Sequence, residues 1–195
     1  MIRFGPVEIT FDHTVLRPRP WTLAQSEWAA ELAAGDDVLE LGAGAGHIGL
    51  AAAALTGGRL VQVDRDPAAC RWAAHNAAAN GLADRVEQRC GLTTDVLVPG
   101  ERFKVVVADP PYVPSADVGL YPEDPLGAID GGPDGLDGVR AFLDGLPAHV
   151  SAGGGVVLQV RGAAQAERLS DPRFRVVEVR TYGELRALVL LRSAE

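Results

Sequence analysis

From residue 38 onward, short apolar runs alternate with stretches whose apolar positions recur at helical spacing, the mark of a doubly wound α/β sheet. The strands predicted are Val38–Leu41, Arg59–Val63, Val86–Arg89, Lys104–Ala108 and Gly155–Val160. The helices between and after them are Ile48–Leu55, Pro67–Asn80 stopped by Gly81, Gly138–His149 and Gly162–Leu169. Arg175–Arg180 and Leu185–Leu191 then form a closing antiparallel pair, which completes a seven-stranded, mostly parallel sheet. Ahead of this unit, Ile2–Phe4 and Val7–Phe11 flank Gly5-Pro6 as a short N-terminal hairpin. Val15–Pro20 is an extended, proline-interrupted segment, and Thr22 stands as N-cap of a helix Leu23–Ala34. Leu23, Trp28 and Leu32 are among that helix's apolar positions and Gly35 is its stop.

Residues 1–195 therefore read as one domain, with 1–20 as hairpin and extended lead and 114–137 as a long proline- and glycine-rich loop. A loop of that length in a compact domain is usually functional or disordered, and this one directly follows the stretch richest in chemistry, which favours a lid or substrate wall. That stretch is Val105–Tyr112, VVVADPPY. A buried strand ends abruptly at Asp109, because Pro110 and Pro111 cannot donate to a ladder and leave the sheet as a stiff turn. The turn presents Asp109, a free carbonyl and the Tyr112 ring at the carboxyl end of a strand, where open α/β sheets bind ligands.

Composition adds limits. The formal charge of −8 opposes tight nonspecific binding to phosphate backbones. Cys70 and Cys90 fit no metal or redox spacing and read as two reduced, mostly buried thiols. His13, His47, His75 and His149 form no metal spacing, so no metal is expected. His47 follows the glycine loop, and contact with a ligand or plain packing are both open to it. Asn76 and His75 read as surface or packing groups, and Trp21, Trp28 and Trp72 as core or pocket wall. No leader or apolar run long enough to span a membrane is visible, which points to the cytoplasm and to no membrane partner.

The second chemical motif is Leu39–Gly46, LELGAGAG, in which Gly42, Gly44 and Gly46 follow a strand and open a helix. Asp64 ends the next strand 18 residues after Gly46, with Arg65 beside it, and its carboxylate can accept hydrogen bonds from a ribose diol. Glu40-x-Gly42-x-Gly44-x-Gly46 resembles the motif of class I S-adenosylmethionine-dependent methyltransferases. That resemblance implies S-adenosyl-L-methionine as cofactor, held along Glu40, Gly42, Ala43, Gly44, Gly46, Asp64, Arg65 and Asp109, with Glu40 near its methionine end. The Asp109-Pro110-Pro111-Tyr112 turn resembles that of the nitrogen-modifying members. It implies that Asp109, Pro110 and Tyr112 carry catalysis, with Pro111, Tyr112 and Asp130 against the substrate.

Three further stretches resemble the HemK-type branch, the protein glutamine N-methyltransferases. Val15–Pro20, VLRPRP, is similar to its V-L-I-P-R-P; Leu126–Asp137, LGAIDGGPDGLD, to its A-L-D-G-G-x-D-G-L; and Gln159–Gly162 with Gln165 to its E-x-G-x-x-Q. The resemblance runs from about Thr14 to Arg192. Four departures stand out: Asp109 where that branch has Asn, no N-terminal helical domain, Trp21 in place of an acid, and only Asp95 as a carboxylate after the third strand. An ionised Asp109 accepts hydrogen bonds and donates none, which favours donor-rich acceptors over an amide. The acids of the loop, Asp117, Glu123, Asp124, Asp130, Asp134 and Asp137, are either solvated or an acidic mouth for a cationic substrate. The expected function is N-methylation of an amide, amine or guanidine nitrogen on a protein side chain or a small amino-acid-like molecule. A nucleic-acid exocyclic amine and a non-catalytic cofactor-binding module are the alternatives.

Overall fold

The computed structural model describes residues 1–194. Its strands are β1 (Ile2–Phe4), β2 (Val7–Ile9), β3 (Val38–Leu41), β4 (Leu60–Asp64), β5 (Val86–Cys90), β6 (Phe103–Ala108), β7 (Val150–Val160), β8 (Phe174–Thr181) and β9 (Ala187–Ser193). Its α-helices are α1 (Leu23–Ala33), α2 (His47–Thr56), α3 (Pro67–Ala79), α4 (Thr93–Val96), α5 (Leu126–Ile129), α6 (Asp137–Gly145) and α7 (Gly162–Glu167). β1 and β2 form the expected hairpin. The other seven strands make one sheet in the order β5-β4-β3-β6-β7-β9-β8, antiparallel only at β7/β9 and β9/β8. The order reverses between β3 and β6, so the carboxyl ends of those two strands border the crevice in which such sheets bind ligands.

The sheet is sandwiched because alternate residues of its central strands are apolar on both faces. Val105 and Val107 pack with α1, α2 and the hairpin, while Val106 and Ala108 pack with α6 and α7. Five positions of α1 are buried, Gln25, Ser26, Trp28, Ala29 and Ala33, and two of them are polar. Gln25 is fully buried; its Nε2 donates to Ala108 O at 3.0 Å and Val157 O at 2.8 Å, and its Oε1 accepts from Gln159 Nε2 at 2.6 Å. The hairpin is clamped by two asparagines one turn apart, Asn76 on α3 and Asn80 at its C-cap. Asn76 bonds both N–H and C=O of Thr10, and Asn80 both of Glu8. Asn76 is thus an interior clasp, whereas His75 is exposed.

Several local expectations change. Thr22 does not cap α1 with its side chain; its hydroxyl donates back to Arg19 O in the 3₁₀ turn Pro20–Thr22. The helix ends on left-handed Ala34 (φ 50°) before Gly35. The helix expected over Gly138–His149 stops at Gly145, and Pro147 opens a separate 3₁₀ turn because it cannot continue the ladder. β7 consequently starts at Val150, earlier than its apolar core suggests. Cys70 and Cys90 are not free thiols but a disulfide, with Cα atoms 5.9 Å apart. Parallel pairing of β4 with β5 sets Cys90 opposite Asp64, and the first turns of α3 carry Cys70 back over that point. Cys90 is exposed, so only one of the two sulfurs is buried as expected. No described helix is long and apolar enough to cross a membrane.

Replacing Gln25 by Ala leaves two backbone carbonyls and the Gln159 amide without their buried partner. Urea denaturation should show a loss of about 2–3 kcal/mol. A loss below about 0.5 kcal/mol would remove Gln25 as the anchor of α1 on the sheet.

Candidate functional site

The turn after β6 is built around missing donors. Pro110 and Pro111 supply no N–H, so side chains and a folded-over loop must hold the backbone on either side of them. Gln25 holds Ala108 O from below. Gln165, on α7, donates from Nε2 to Tyr112 O at 3.0 Å and to Gly135 O at 3.1 Å, while its Oε1 accepts from Arg161 N at 2.7 Å. The loop crosses the turn through Val113 N to Ile129 O (2.9 Å) and Gly131 N to Val113 O (2.8 Å). Gly131 and Gly138 each sit where an added Cβ would be 2.7 Å from Pro111 O, so glycine is required for the loop and α6 to cover that carbonyl.

Asp109 opens this turn with a carboxylate that accepts no hydrogen bond from the described residues. Burial pushes its pKa up to about 7. The Tyr112 hydroxyl is likewise raised, first by burial and then by the charges of Asp109 and Tyr121, with Arg186 and Arg19 pulling the other way.

Opposite the turn lies the glycine loop between β3 and α2. Gly42, Gly44 and Gly46 all have positive φ (68°, 55° and 81°), so each needs glycine. Gly42 N and Ala43 N donate to Val63 O at 2.9 and 3.2 Å, which pins the loop across β4. A Cβ at Gly42 would meet the Phe142 ring at 3.0 Å and Asp109 O at 3.7 Å, so glycine loop, turn and α6 converge there. Nothing lies within 4 Å of a Cβ built on Gly44, which leaves open space beside the loop. Asp64 Oδ2 accepts from Gly44 N at 2.8 Å and Oδ1 from Asp66 N at 2.9 Å. Each oxygen keeps a further lone pair for a ligand hydroxyl. Its pKa is raised, chiefly by burial. Arg65 is exposed beside it.

Glu40 takes a different position from a free ligand-facing acid. It is buried, its Oε1 accepts from Gly49 N at 2.9 Å and its Oε2 from Gln62 Nε2 at 2.6 Å, and burial lifts its pKa to about 7. A Cβ at Gly49 would fall 2.4 Å from Glu40 Oε2, so that glycine admits the carboxylate to the start of α2. His47 is buried against the Phe4 ring, with centroids 4.9 Å apart, and burial drives its pKa down to about 3, so it is neutral. Its Nδ1 is buried without a hydrogen-bond partner among the described residues.

Four of the six loop acids pair with arginines, while Glu123 is exposed and in no described ion pair. Asp124 takes a two-oxygen bond from Arg19 Nη2 (2.8 and 2.6 Å), Asp117 pairs with Arg161, and Asp134 with Arg140 and Arg168. Asp137 pairs with Arg140 as well. Asp130 Oδ1 accepts from Ser115 Oγ at 2.7 Å and Gly132 N at 3.0 Å, which shapes the DGGPDGL turn. Short helical turns, Ser115–Leu120 and α5, occupy much of the segment expected to be irregular. Asp95 is exposed on α4. Among the described residues no group of three or more His, Cys, Asp or Glu could hold a metal ion. The structure thus brings Gly42, Gly44, Asp64, Asp109 and Tyr112 to one end of the sheet. Gln25, Gln62 and Phe142 support them, and the first two were readable as polar residues inside apolar patterns.

The chain is similar to several known methyltransferases. The family model for ribosomal protein L11 methyltransferase (PrmA) matches residues 24–109. The release factor glutamine methyltransferase of Gloeobacter violaceus is 37% identical over 163 residues, covering 79% of this chain and 57% of that protein. The ribosomal protein uL3 glutamine methyltransferase of Bordetella pertussis is 35% identical over 147 residues, covering 72% of this chain and 46% of that protein. The chain therefore spans about half the length of these curated relatives. Among solved structures, the ribosomal protein L11 methylase of Lactobacillus delbrueckii subsp. bulgaricus superposes with a TM-score of 0.64 at 18% identity, covering 93% of this chain and 83% of that one. At that identity the likeness is one of fold.

The donor-free carboxyl has a consequence for stability. Asp109 titrates near 3.8 when unfolded and near 7 when folded, so between those values the native state binds more protons. Stability from this residue therefore falls as pH rises through that window. Asp109→Asn should become more stable relative to the parent between pH 4 and 7, by on the order of 2 kcal/mol, and level off above. Urea denaturation across that range checks it, and a pH-independent difference would contradict it.

Proposed function

We propose that the chain is a class I S-adenosylmethionine-dependent methyltransferase of the release factor glutamine methyltransferase branch, and that it methylates a glutamine side-chain amide nitrogen of a protein. One observation carries the reading. The Asp109–Tyr112 turn presents an unpartnered carboxyl at the switch point, next to a glycine loop with open space beside Gly44.

When bound, S-adenosyl-L-methionine would supply an electrophilic methyl group. The residues fit it: Gly42–Gly46 form the backbone bed, Asp64 has free lone pairs for the ribose diol, and Arg65 borders that end. Glu40 acts through the bed by fixing Gly49 and Gln62 beneath it, while its own oxygens are engaged. An amide nitrogen is a weak nucleophile because its lone pair is delocalised. Asp109 and the Pro110 carbonyl orient the NH₂, and Tyr112 packs on the flat group, so most of the barrier is lowered by positioning. The cofactor would supply its methyl group to the nitrogen lone pair, and the N–H proton that the nitrogen gives up would pass to solvent.

Asp109 in place of Asn is compatible with an amide. With a pKa near 7 a large fraction is neutral at physiological pH, and a neutral carboxyl both donates and accepts, as an amide does. The reading places the protein in the cytoplasm, residues 1–195 acting as one domain on a protein partner.

Incubation with methyl-labelled cofactor and either purified release factor or purified uL3 should label glutamine in one of them; label in neither, with transfer to another acceptor class, would refute the assignment. Asp64→Ala should weaken calorimetric cofactor binding by about tenfold or more with the fold retained, as expected for losing charge-assisted hydrogen bonds. Asp109→Ala should abolish turnover while sparing that affinity.

A further inference from the structure

The tip of the β8–β9 hairpin stands over the same end of the sheet as the turn. β9 pairs with β7 through Ala187↔Val160, and β7 pairs with β6 through Leu158↔Ala108, so residues 182–186 extend beyond the carboxyl ends of β6 and β7. There Tyr182 packs against Trp21, with ring centroids 5.8 Å apart, and the Arg186 guanidinium lies 5.9 Å over the Trp21 ring. Trp21 is in the turn that leads into α1, whose Gln25 grips the residue before Asp109. Arg186 is close enough to Tyr112 to favour its ionised form.

The charges around this ledge differ in availability. Arg19 is committed to Asp124 and Arg180 to Glu178, with Arg180 also 3.8 Å over the Trp28 ring. Arg186 is exposed and in no ion pair among the described residues. The side of the turn facing solvent is therefore an aromatic shelf carrying a guanidinium in no described ion pair, in a chain of net charge −8.

We propose that Trp21, Tyr182 and Arg186 form a docking ledge for the acceptor polypeptide, with Arg186 pairing an aspartate or glutamate close in sequence to the methylated residue. Resting on the protein-acceptor reading above, this assigns the chemistry of the segment around the target. A guanidinium fixed over an indole is oriented for a two-point bond to a carboxylate, and the two rings offer a flat surface to extended backbone. A guanidinium outside any run of Lys or Arg suits one carboxylate better than a phosphate backbone, which needs several.

Fluorescence anisotropy of labelled probes tests this without requiring turnover. Three are used on the full chain with S-adenosylhomocysteine present: a glutamine peptide flanked by glutamates, the same peptide with glutamines in their place, and a single-stranded RNA of equal length. The acidic peptide should bind about fivefold more tightly than the neutral one, and Arg186→Ala should abolish that preference. Equal binding of the two peptides, a preference that survives Arg186→Ala, or RNA binding that depends on Arg186 would each overturn the ledge. Arg186→Lys keeps the charge but not the fork and should recover only part of the preference. Failure of the protein-acceptor reading shows separately, as label entering neither release factor nor uL3.

Discussion

Everything at the functional end of this molecule depends on how a backbone without N–H donors is held in place. Pro110 and Pro111 remove the groups that would tie the chain to its neighbours. The compensation comes from two glutamine amides, Gln25 on Ala108 O before the prolines and Gln165 on Tyr112 O after them. Each is well buried and each bonds more than one backbone carbonyl, so each also sets the distance between elements: α1 to β6 and β7, and α7 to the loop. The turn is rigid because its proline φ angles are fixed and its flanking carbonyls are satisfied. That rigidity is what positioning a weak nucleophile requires.

Three acids gather at this end, and their partners separate their roles. Glu40 has a donor on each oxygen and works as an internal brace; Asp64 has a backbone donor on each oxygen but remains partly exposed; Asp109 has none. Burial raises all three pKa values, most consequentially for Asp109, where no donor offsets it. A buried carboxyl without donors or a cation retains its proton into the neutral range. The substitution that looked least suited to an amide thus recovers an amide-like ability to donate and accept.

The parallel core was legible in the sequence because β3, β4, β6 and β7 are apolar runs bounded by Gly, Pro or Asp. The glycine loop and the turn were legible because glycine and proline have backbone meanings that do not depend on neighbours. What could not be read depends on pairing across the fold. The Cys70–Cys90 disulfide follows from β4–β5 register, four of the loop acids are matched to arginines up to 105 residues away, and Arg186 meets Trp21 only after the hairpin folds over the sheet. Glu40 was correctly located as a residue of the loop's strand, but its direction was set by Gln62 and Gly49, which periodicity does not reveal.

The central claim is that glycine loop and proline turn are already arranged to receive cofactor and acceptor amide side by side. A crystal structure with S-adenosylhomocysteine and a glutamine-bearing peptide measures this directly. The account predicts the ribose hydroxyls on Asp64, the homocysteine sulfur toward Asp109, and the glutamine NH₂ bonded by Asp109, with Gln25 and Gln165 keeping their present bonds. A cofactor bound away from Asp64, or an amide held by residues other than Asp109–Tyr112, would contradict it.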